Sequence, residues 1–113
     1  MPGYGQGFGR GRGRGRCRGR RWIEHIPETT NFRANGIPLT PENTTILTIE
    51  ELEALRLVDL KDLKQEEAAA MMGVSRKTLW NDLQRARKKV TSALVQGKTI
   101  RIQGGNYIQR QRR

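Results

Sequence analysis

The sequence predicts a mainly α-helical fold, with three helices in a helix-turn-helix domain, a small two-stranded β element and a disordered N-terminal arm. Three observations predict it. Residues 65–94 join a short helix-forming run to a long basic amphipathic run across a glycine. Residues 1–21 hold seven arginines and no acidic residue in a glycine-rich stretch. The 113 residues of the chain are enough for one small domain.

The junction between the second and third predicted helices carries the strongest local signal. Gly73 stands where a chain leaving a helix commonly turns left-handed, a conformation that glycine adopts without steric cost. Ser75 can cap the next helix, because its hydroxyl accepts a free N–H group of the first turn. Ala69, four residues before Gly73, leaves room for a close crossing of the two helices. A helix, a turn with glycine and a capped helix form, in that order, a helix-turn-helix.

The third helix, predicted over residues 76–96, has one apolar face. Its apolar residues recur at steps of four, three, four and four, which is the spacing of a single buried helix face. They are Leu79, Leu83, Ala86, Val90 and Leu94. The outward face is polar and basic, which suits a DNA major groove. An ordinary helical hairpin with a solvated charged face is the alternative, and the combined spacing of Ala69, Gly73 and Ser75 argues against it.

The outward face supplies the candidate DNA-binding residues. Asparagine and glutamine can pair with adenine, and arginine or lysine with guanine. The candidates for base edges are Arg76, Lys77, Trp80, Asn81 and Gln84. The candidates for phosphate contacts, which set the register without reading sequence, are the backbone of Ser75 and the side chains of Arg85, Arg87, Lys88 and Lys89. Trp80 could instead pack partly in the core beside Leu79, and a solvated helix face is the alternative for the four basic side chains.

Two further helices precede the turn. Thr48 followed by Glu51 predicts a capping box at the start of a first helix over residues 49–60. Asp62 and Gln65 repeat this spacing, and we expect them to open the second helix, over residues 63–72. The acidic residues between 50 and 67 are interpreted as helix surface and caps.

The β element is predicted from two short stretches. Residues 44–47 are β-branched, and residues 98–102 alternate apolar and polar after Gly97, which ends the third helix. We expect these stretches to pair as a ribbon that braces the helices. Residues 22–40 contain apolar side chains interrupted by proline and glycine, and they are expected to form an ordered, irregular segment that packs across the helices.

The chain ends are predicted to lie outside the folded domain, which spans residues 22–105. Residues 1–21 are predicted to be disordered, because glycine entropy and arginine repulsion both oppose folding. We expect this arm to be an accessory element that follows phosphates or enters a minor groove, through Arg10, Arg12, Arg14, Arg16, Arg18, Arg20 and Arg21. RNA-binding segments rich in glycine and arginine have a similar composition, so the arm could instead bind RNA. A tail that only increases solubility is a further alternative. Residues 106–113 are predicted to be a mobile basic tail.

Composition limits the function classes. The net charge of +11 and the pI near 11.1 indicate a polyanionic partner. Cys17 is the only cysteine and His25 the only histidine, too few ligands for a structural zinc site, so no metal or cofactor is expected. No apolar run reaches the length of a membrane span and no secretory signal is visible, so a cytoplasmic, nucleoid-associated protein is expected. No nucleophile–base pair or carboxylate site is visible, and the chain is expected not to be an enzyme.

Several motifs together resemble a prokaryotic family of small uncharacterised proteins predicted to bind DNA, whose helix-turn-helix is similar to region 4 of sigma factors. The motifs are PETTNFR at 27–33, GIPL at 36–39, LTIEELEALRL at 47–57, QEEAA at 65–69, GVSR at 73–76, ARKK at 86–89, GK at 97–98 and IRI at 100–102. The resemblance covers residues 22–105 and implies this fold and DNA binding.

These observations predict sequence-specific binding of double-stranded DNA by a transcriptional regulator, with the helix that begins at Arg76 in the major groove. An RNA-binding module, or one that docks on RNA polymerase or another protein through the same helices, is the alternative. Since one helix-turn-helix reads a short half-site, a homodimer is compatible with the sequence.

Overall fold

A computed structural model of the chain describes residues 20–109. The three predicted helices are confirmed, and the first continues from its α-helical part into a π-helical turn over Arg56–Leu60. The helices are α1 Ile49–Leu55, α2 Gln65–Met72 and α3 Arg76–Gln96. No helix in this part of the chain is both long enough and apolar enough to cross a membrane.

The described chain also contains five short strands, more than the sequence predicted. They are β1 Arg21–Ile23, β2 Asn31–Phe32, β3 Thr44–Leu47, β4 Thr99–Ile102 and β5 Tyr107–Gln109. The predicted pairing of β3 with β4 is confirmed: the two run parallel, with Thr44 opposite Thr99 and Leu47 opposite Ile102. The prediction of a two-stranded element is wrong, because β2 pairs antiparallel with the other edge of β4 and makes a three-stranded sheet.

The remaining two strands correct the predicted ends of the domain. Arg21, assigned to the arm, begins β1, and Tyr107–Gln109, assigned to the tail, forms β5. The two strands pair in parallel, with Arg21 opposite Tyr107. Ile23 is buried in the core and Tyr107 packs against the same cluster. A few apolar residues therefore order segments whose composition is basic. Of the predicted arm and tail, residues 1–19 and 110–113 lie outside the described residues.

Capping determines where α1 begins, as the sequence predicts. The Thr48 hydroxyl accepts the N–H of Glu51 at 3.2 Å, and the Glu51 carboxylate accepts the N–H of Thr48 at 3.0 Å. This is the predicted capping box, with both reciprocal bonds present.

The prediction that Asp62 caps α2, with the helix beginning at residue 63, is wrong. Asp62 has a positive φ of 61° and joins the π-helical turn to α2, and the N–H of Leu63 still donates back to the Leu57 carbonyl at 3.0 Å. The chain leaves this turn only at Lys64, whose N–H donates to the Glu67 carboxylate at 2.9 Å. The longer turn therefore delays the helix by two residues relative to the prediction.

The buried side chains form two adjoining clusters that meet along α3. One lies among α1, α2 and α3, and contains Ala54, Leu57, Ala68, Ala69, Met72, Leu79 and Leu83. The other lies between α3 and the strands, and contains Ile23, Leu47, Ile49, Ala86 and Ile102. The apolar face of α3 thus packs against α1 and α2 and also against the strands.

The predicted apolar face of α3 is confirmed up to Val90 and wrong at its last member. Val90 packs against the core, whereas Leu94 is 73% exposed and Ala93 is buried in its place. The carbonyl of Ala93 accepts the N–H of Lys98 at 2.8 Å, where the chain turns towards β4. The chain that follows α3 passes close to the helix here and leaves room only for a small side chain. Ala93 is therefore buried and Leu94 is exposed.

Gly105 should be the glycine of this fold that tolerates a side chain least. Its φ is +114°, and an added Cβ would overlap the carboxylate of Glu50 and lie 3.2 Å from Thr48 Cβ. That carboxylate accepts the N–H of Asn106 at 3.1 Å. We expect Gly105→Ala to lower the free energy of unfolding by about 2–3 kcal/mol, through backbone strain and loss of this bond.

Gly36→Ala is the matched control for this prediction. Gly36 also has a positive φ, +80°, but no atom lies within 4 Å of an added Cβ. Urea unfolding of the two variants should therefore show a smaller loss for Gly36→Ala, and equal losses would contradict the proposed clash.

Candidate nucleic-acid interface

The turn between α2 and α3 has the local geometry that the sequence predicts. Gly73 is left-handed, with φ +70°, and the N–H of Val74 donates to the Ala69 carbonyl at 3.0 Å. The Ser75 hydroxyl accepts the N–H of Thr78 at 3.0 Å, as predicted for a helix cap. The indole of Trp22 covers the turn, since a Cβ on Gly73 would lie 3.3 Å from the ring. Strand β1 therefore holds the turn in place from outside.

Four of the five predicted base-contacting side chains lie on the outward side of α3; the fifth, Arg76, lies at the start of the helix on the side of α2, with its guanidinium 3.9 Å from the Glu66 carboxylate. Arg76, Lys77, Trp80 and Asn81 are exposed, and Trp80 keeps 44% of its surface open to solvent. At 100° per residue, Lys77, Asn81, Gln84 and Lys88 lie within about 60° of one another and opposite the buried leucines. The sequence prediction of their common face is therefore met, and we call these four residues the outward strip.

Gln84 differs from its neighbours on the outward strip because it is partly buried. Its side-chain nitrogen Nε2 is inaccessible and has no hydrogen-bond partner among residues 20–109. An unpaired buried donor typically costs about 1–3 kcal/mol. Because Nε2 is inaccessible, this amide would gain a bond only if the Gln84 side chain turned outward to an acceptor on the strip.

One side of the outward strip is fixed by buried carboxylates. Arg85 donates through Nε to Glu51 at 3.2 Å and through Nη2 to Asp82. Lys89 donates to Glu51 at 2.7 Å. Arg21, from β1, donates to both oxygens of Asp82, at 3.0 and 3.1 Å. We call these five residues the Arg85 flank.

The carboxylates of the Arg85 flank are almost inaccessible. The side chain of Asp82 has no exposed surface and that of Glu51 is 4% exposed, whereas that of Arg85 is 55% exposed. Burial raises the pKa of Glu51, but hydrogen bonds from Lys89, the Thr48 N–H and Arg85 outweigh it, so the pKa lies below its ordinary value. Glu51 is therefore ionised at neutral pH and neutralises part of the charge of α3.

The other side of the outward strip carries an exposed ion pair. Arg87 donates to the two oxygens of Asp59 at 3.1 and 2.7 Å, and the two side chains are 41% and 42% exposed. The hydrogen bond from Arg87 lowers the pKa of Asp59, and the same bond raises the pKa of Arg87. We call this pair the Arg87 flank.

These contacts change the expected roles of several basic residues. Of the four side chains predicted to contact phosphates, only Lys88 has no ion pair with a carboxylate of residues 20–109; Arg87 and Lys89 each have one and Arg85 has two. Arg21, predicted as part of the flexible arm, is instead fixed to Asp82. The structure brings Lys88 together with the base-contacting candidates on the outward strip and places the other three cations beside it.

Sequence reasoning missed the acidic partners that produce this arrangement. Glu51 is the cap that the sequence predicts, but its burial and its bonds to Arg85 and Lys89 were not predicted. Glu53, interpreted as a surface residue, is also only 3% exposed. Glu53 receives two bonds of 2.9 Å from Arg56. The one available signal was Asp82, the only acidic residue in the basic third helix, which lies three residues after the buried Leu79.

Comparisons with known proteins place the chain among proteins of prokaryotes. A family described as "Protein of unknown function DUF134" matches residues 9–110. A UPF0251 protein of Methanosarcina acetivorans is 52% identical over 88 residues, which cover 78% of this chain and 79% of that protein. A UPF0251 protein of Thermoanaerobacter pseudethanolicus is 52% identical over 87 residues, covering 77% and 74%.

The relatives differ in length. A UPF0251 protein of Methanocella arvoryzae is 51% identical over 89 residues, which cover 79% of this chain but 54% of that protein. The chain thus spans about half the length of some relatives and more than two thirds of others. No solved structure matches the chain significantly.

Proposed function

The chain belongs to the DUF134 family, and within it we propose that this protein binds double-stranded DNA in a sequence-specific way, as a regulator of transcription. In this proposal α2, the turn at Gly73 and α3 act as a helix-turn-helix similar to that of sigma factor region 4, and α3 enters the major groove.

One observation carries the proposal: the cations beside the outward strip are paired within the protein, and the strip itself is not. Carboxylates bind the cations on both flanks of α3. Lys77, Asn81 and Lys88 are exposed and make no hydrogen bond or ion pair with another side chain of the described chain. Their donors therefore remain available to a ligand, on a face opposite the core that fixes the helix.

The chemistry of the outward strip suits base edges and phosphates together. Asn81, with the amide of Gln84, can pair with adenine, and Lys77 can donate to guanine. Trp80, exposed beside them, can contact a thymine methyl group or a sugar. Lys88 lies farther along the helix, where a phosphate contact would set the register. No enzymatic chemistry is part of this proposal.

Selection of bound sites from random duplexes tests the proposal most directly. A defined consensus is the expected result, and a palindromic consensus would indicate a homodimer. Competition with single-stranded RNA and with RNA polymerase distinguishes the alternative partners. Preference for RNA or polymerase over the selected duplex would contradict the proposal.

Two substitutions distinguish a contact to base edges from a contact to DNA phosphates. Asn81→Ala should weaken the selected site by about 1–3 kcal/mol and change binding to random duplex little, because a base-edge contact is lost. Lys88→Ala should weaken both duplexes alike and reduce the salt slope of binding by about 0.9, because a phosphate contact is lost. Fluorescence anisotropy titrations with both duplexes measure this. Equal losses on the two duplexes for Asn81→Ala would remove Asn81 from the reading residues.

A further inference from the structure

The two flanks of the outward strip differ in net charge. The Arg85 flank contains three cations, Arg21, Arg85 and Lys89, and two carboxylates, Glu51 and Asp82. The Arg87 flank contains one cation and one carboxylate. A polyanion that lies on the strip therefore meets a surplus of positive charge on one side and none on the other.

The flanks also differ in what they expose. On the Arg85 flank the carboxylates are buried and the guanidinium of Arg85 is 55% exposed, so the cation faces solvent and covers the acids. On the Arg87 flank the carboxylate of Asp59 is itself 42% exposed. A phosphate that approached there would meet a carboxylate of like charge, which disfavours it.

Arg85 is also held in a fixed position. Bonds from Nε to Glu51 and from Nη2 to Asp82 occupy one edge of the guanidinium. Its remaining N–H groups make no other bond within residues 20–109. Because the protein already fixes this side chain, little further ordering entropy opposes a bond from Arg85 to a phosphate.

The Arg85 flank is also where β1 begins. Arg21 joins the first residue of β1 to Asp82 of α3 through two bonds of 3.0 and 3.1 Å. Arg20, which precedes it, is exposed. The chain N-terminal to this point contains further arginines and no acidic residue. The attachment therefore brings the start of the basic sequence to the same side of α3.

We propose that the DNA backbone bordering the groove that α3 enters runs along the Arg85 flank, past Arg85 and the start of β1, and not along the Arg87 flank. This inference rests on the proposed function and adds the orientation of the duplex on the protein. The partner is duplex DNA, and its phosphates are the groups recognised.

Arg85→Gln and Arg87→Gln form a matched pair of variants that test the orientation. Each removes one guanidinium from one flank of the same helix. Arg85→Gln leaves Asp82 paired with Arg21 and Glu51 paired with Lys89, so the fold should persist, and circular dichroism melting checks this. The selected duplex should bind Arg85→Gln roughly tenfold more weakly and with a salt slope reduced by about 0.9.

Arg87→Gln is the control for the loss of DNA affinity expected of Arg85→Gln. Arg87→Gln should change the affinity by less than roughly twofold, because in the proposed orientation the DNA backbone runs along the other flank and solvent screens the more distant charge. An equal or larger loss for Arg87→Gln would overturn the proposed orientation. If neither the parent protein nor the variants prefer the selected duplex over random duplex, the proposed function fails before the orientation can be assessed.

A position-sensitive measurement uses the only cysteine of the chain. Cys17 precedes Arg21 by four residues, and four residues of extended chain span at most about 14 Å. An iron–EDTA reagent attached to Cys17 of the full-length protein should cleave the selected duplex within about ten base pairs of the bases protected by α3, on one side of each half-site. The Cys17→Ser protein is the control for untethered reagent. Cleavage spread evenly to both sides, with the protection by α3 intact, would overturn the orientation.

Discussion

Asp82→Ala should destabilise the domain by about 3–5 kcal/mol, the usual effect of removing one partner from a buried ion pair. The carboxylate of Asp82 has no exposed surface, and it accepts bonds from Arg21 and Arg85. The Arg21 side chain is 16% exposed. Without Asp82 this largely buried guanidinium would lose its two bonds to that carboxylate. Denaturant unfolding followed by circular dichroism measures the loss.

Asp59→Ala is the control for that experiment, because it removes a carboxylate of the same kind from the exposed pair with Arg87. Exposed pairs typically contribute about 0–1 kcal/mol, so its effect should be small. Similar losses for the two variants would show that the burial of Asp82 does not matter to stability. The comparison therefore tests whether the attachment of β1 to α3 holds the domain together.

Replacement of six arginines of the N-terminal arm by serine should reduce the salt dependence of DNA binding strongly. Each phosphate neutralised by the protein contributes a slope of about 0.9 in log K against log salt, so the slope should fall by up to about 5 if all six contact DNA. The residues to replace are Arg10, Arg12, Arg14, Arg16, Arg18 and Arg20. Titrations of one duplex at several salt concentrations give the slope, and an unchanged slope would show that the arm does not contact DNA.

Arg21 belongs to the folded domain, so the N-terminal arm cannot be deleted together with it without disturbing the fold. Removal of residues 1–21 would also remove Arg21, whose side chain is bound to the buried Asp82. A loss of affinity could then come from a destabilised domain and not from the arm. Substitution up to Arg20, with Arg21 retained, separates the two effects. Unfolding of the substituted protein should match that of the parent and provides the control.

The ion pairs also explain how a helix this basic can fold against its neighbours. Acidic residues of α1 and the π-helical turn, Glu51 and Asp59, bind the cations on the two sides of α3. They reduce repulsion along the helix and leave unpaired charge on the outward strip. The acidic character of the first helix is thus directly linked to the proposed function of the third.

Residue order is enough to predict the local features of this protein. The span of the third helix, the capping box at Thr48, the left-handed Gly73 and the cap at Ser75 agree with the structure. Each depends on residues within about four positions of one another, so its physical cause can be read directly from the order of the residues. The outward strip follows from the same helical period.

Which distant groups meet depends on how the helices and strands pack. Arg21 and Asp82 are 61 residues apart in the sequence, and Lys89 and Glu51 are 38 apart. The pairing of β1 with β5 and the burial of Ala93 in place of Leu94 also depend on how the chain returns on itself. A basic side chain can equally face solvent, a phosphate or a carboxylate, and only packing brings a particular carboxylate within reach. The spacing of residues therefore predicted the surface, and the fold decided which of its charges remain available.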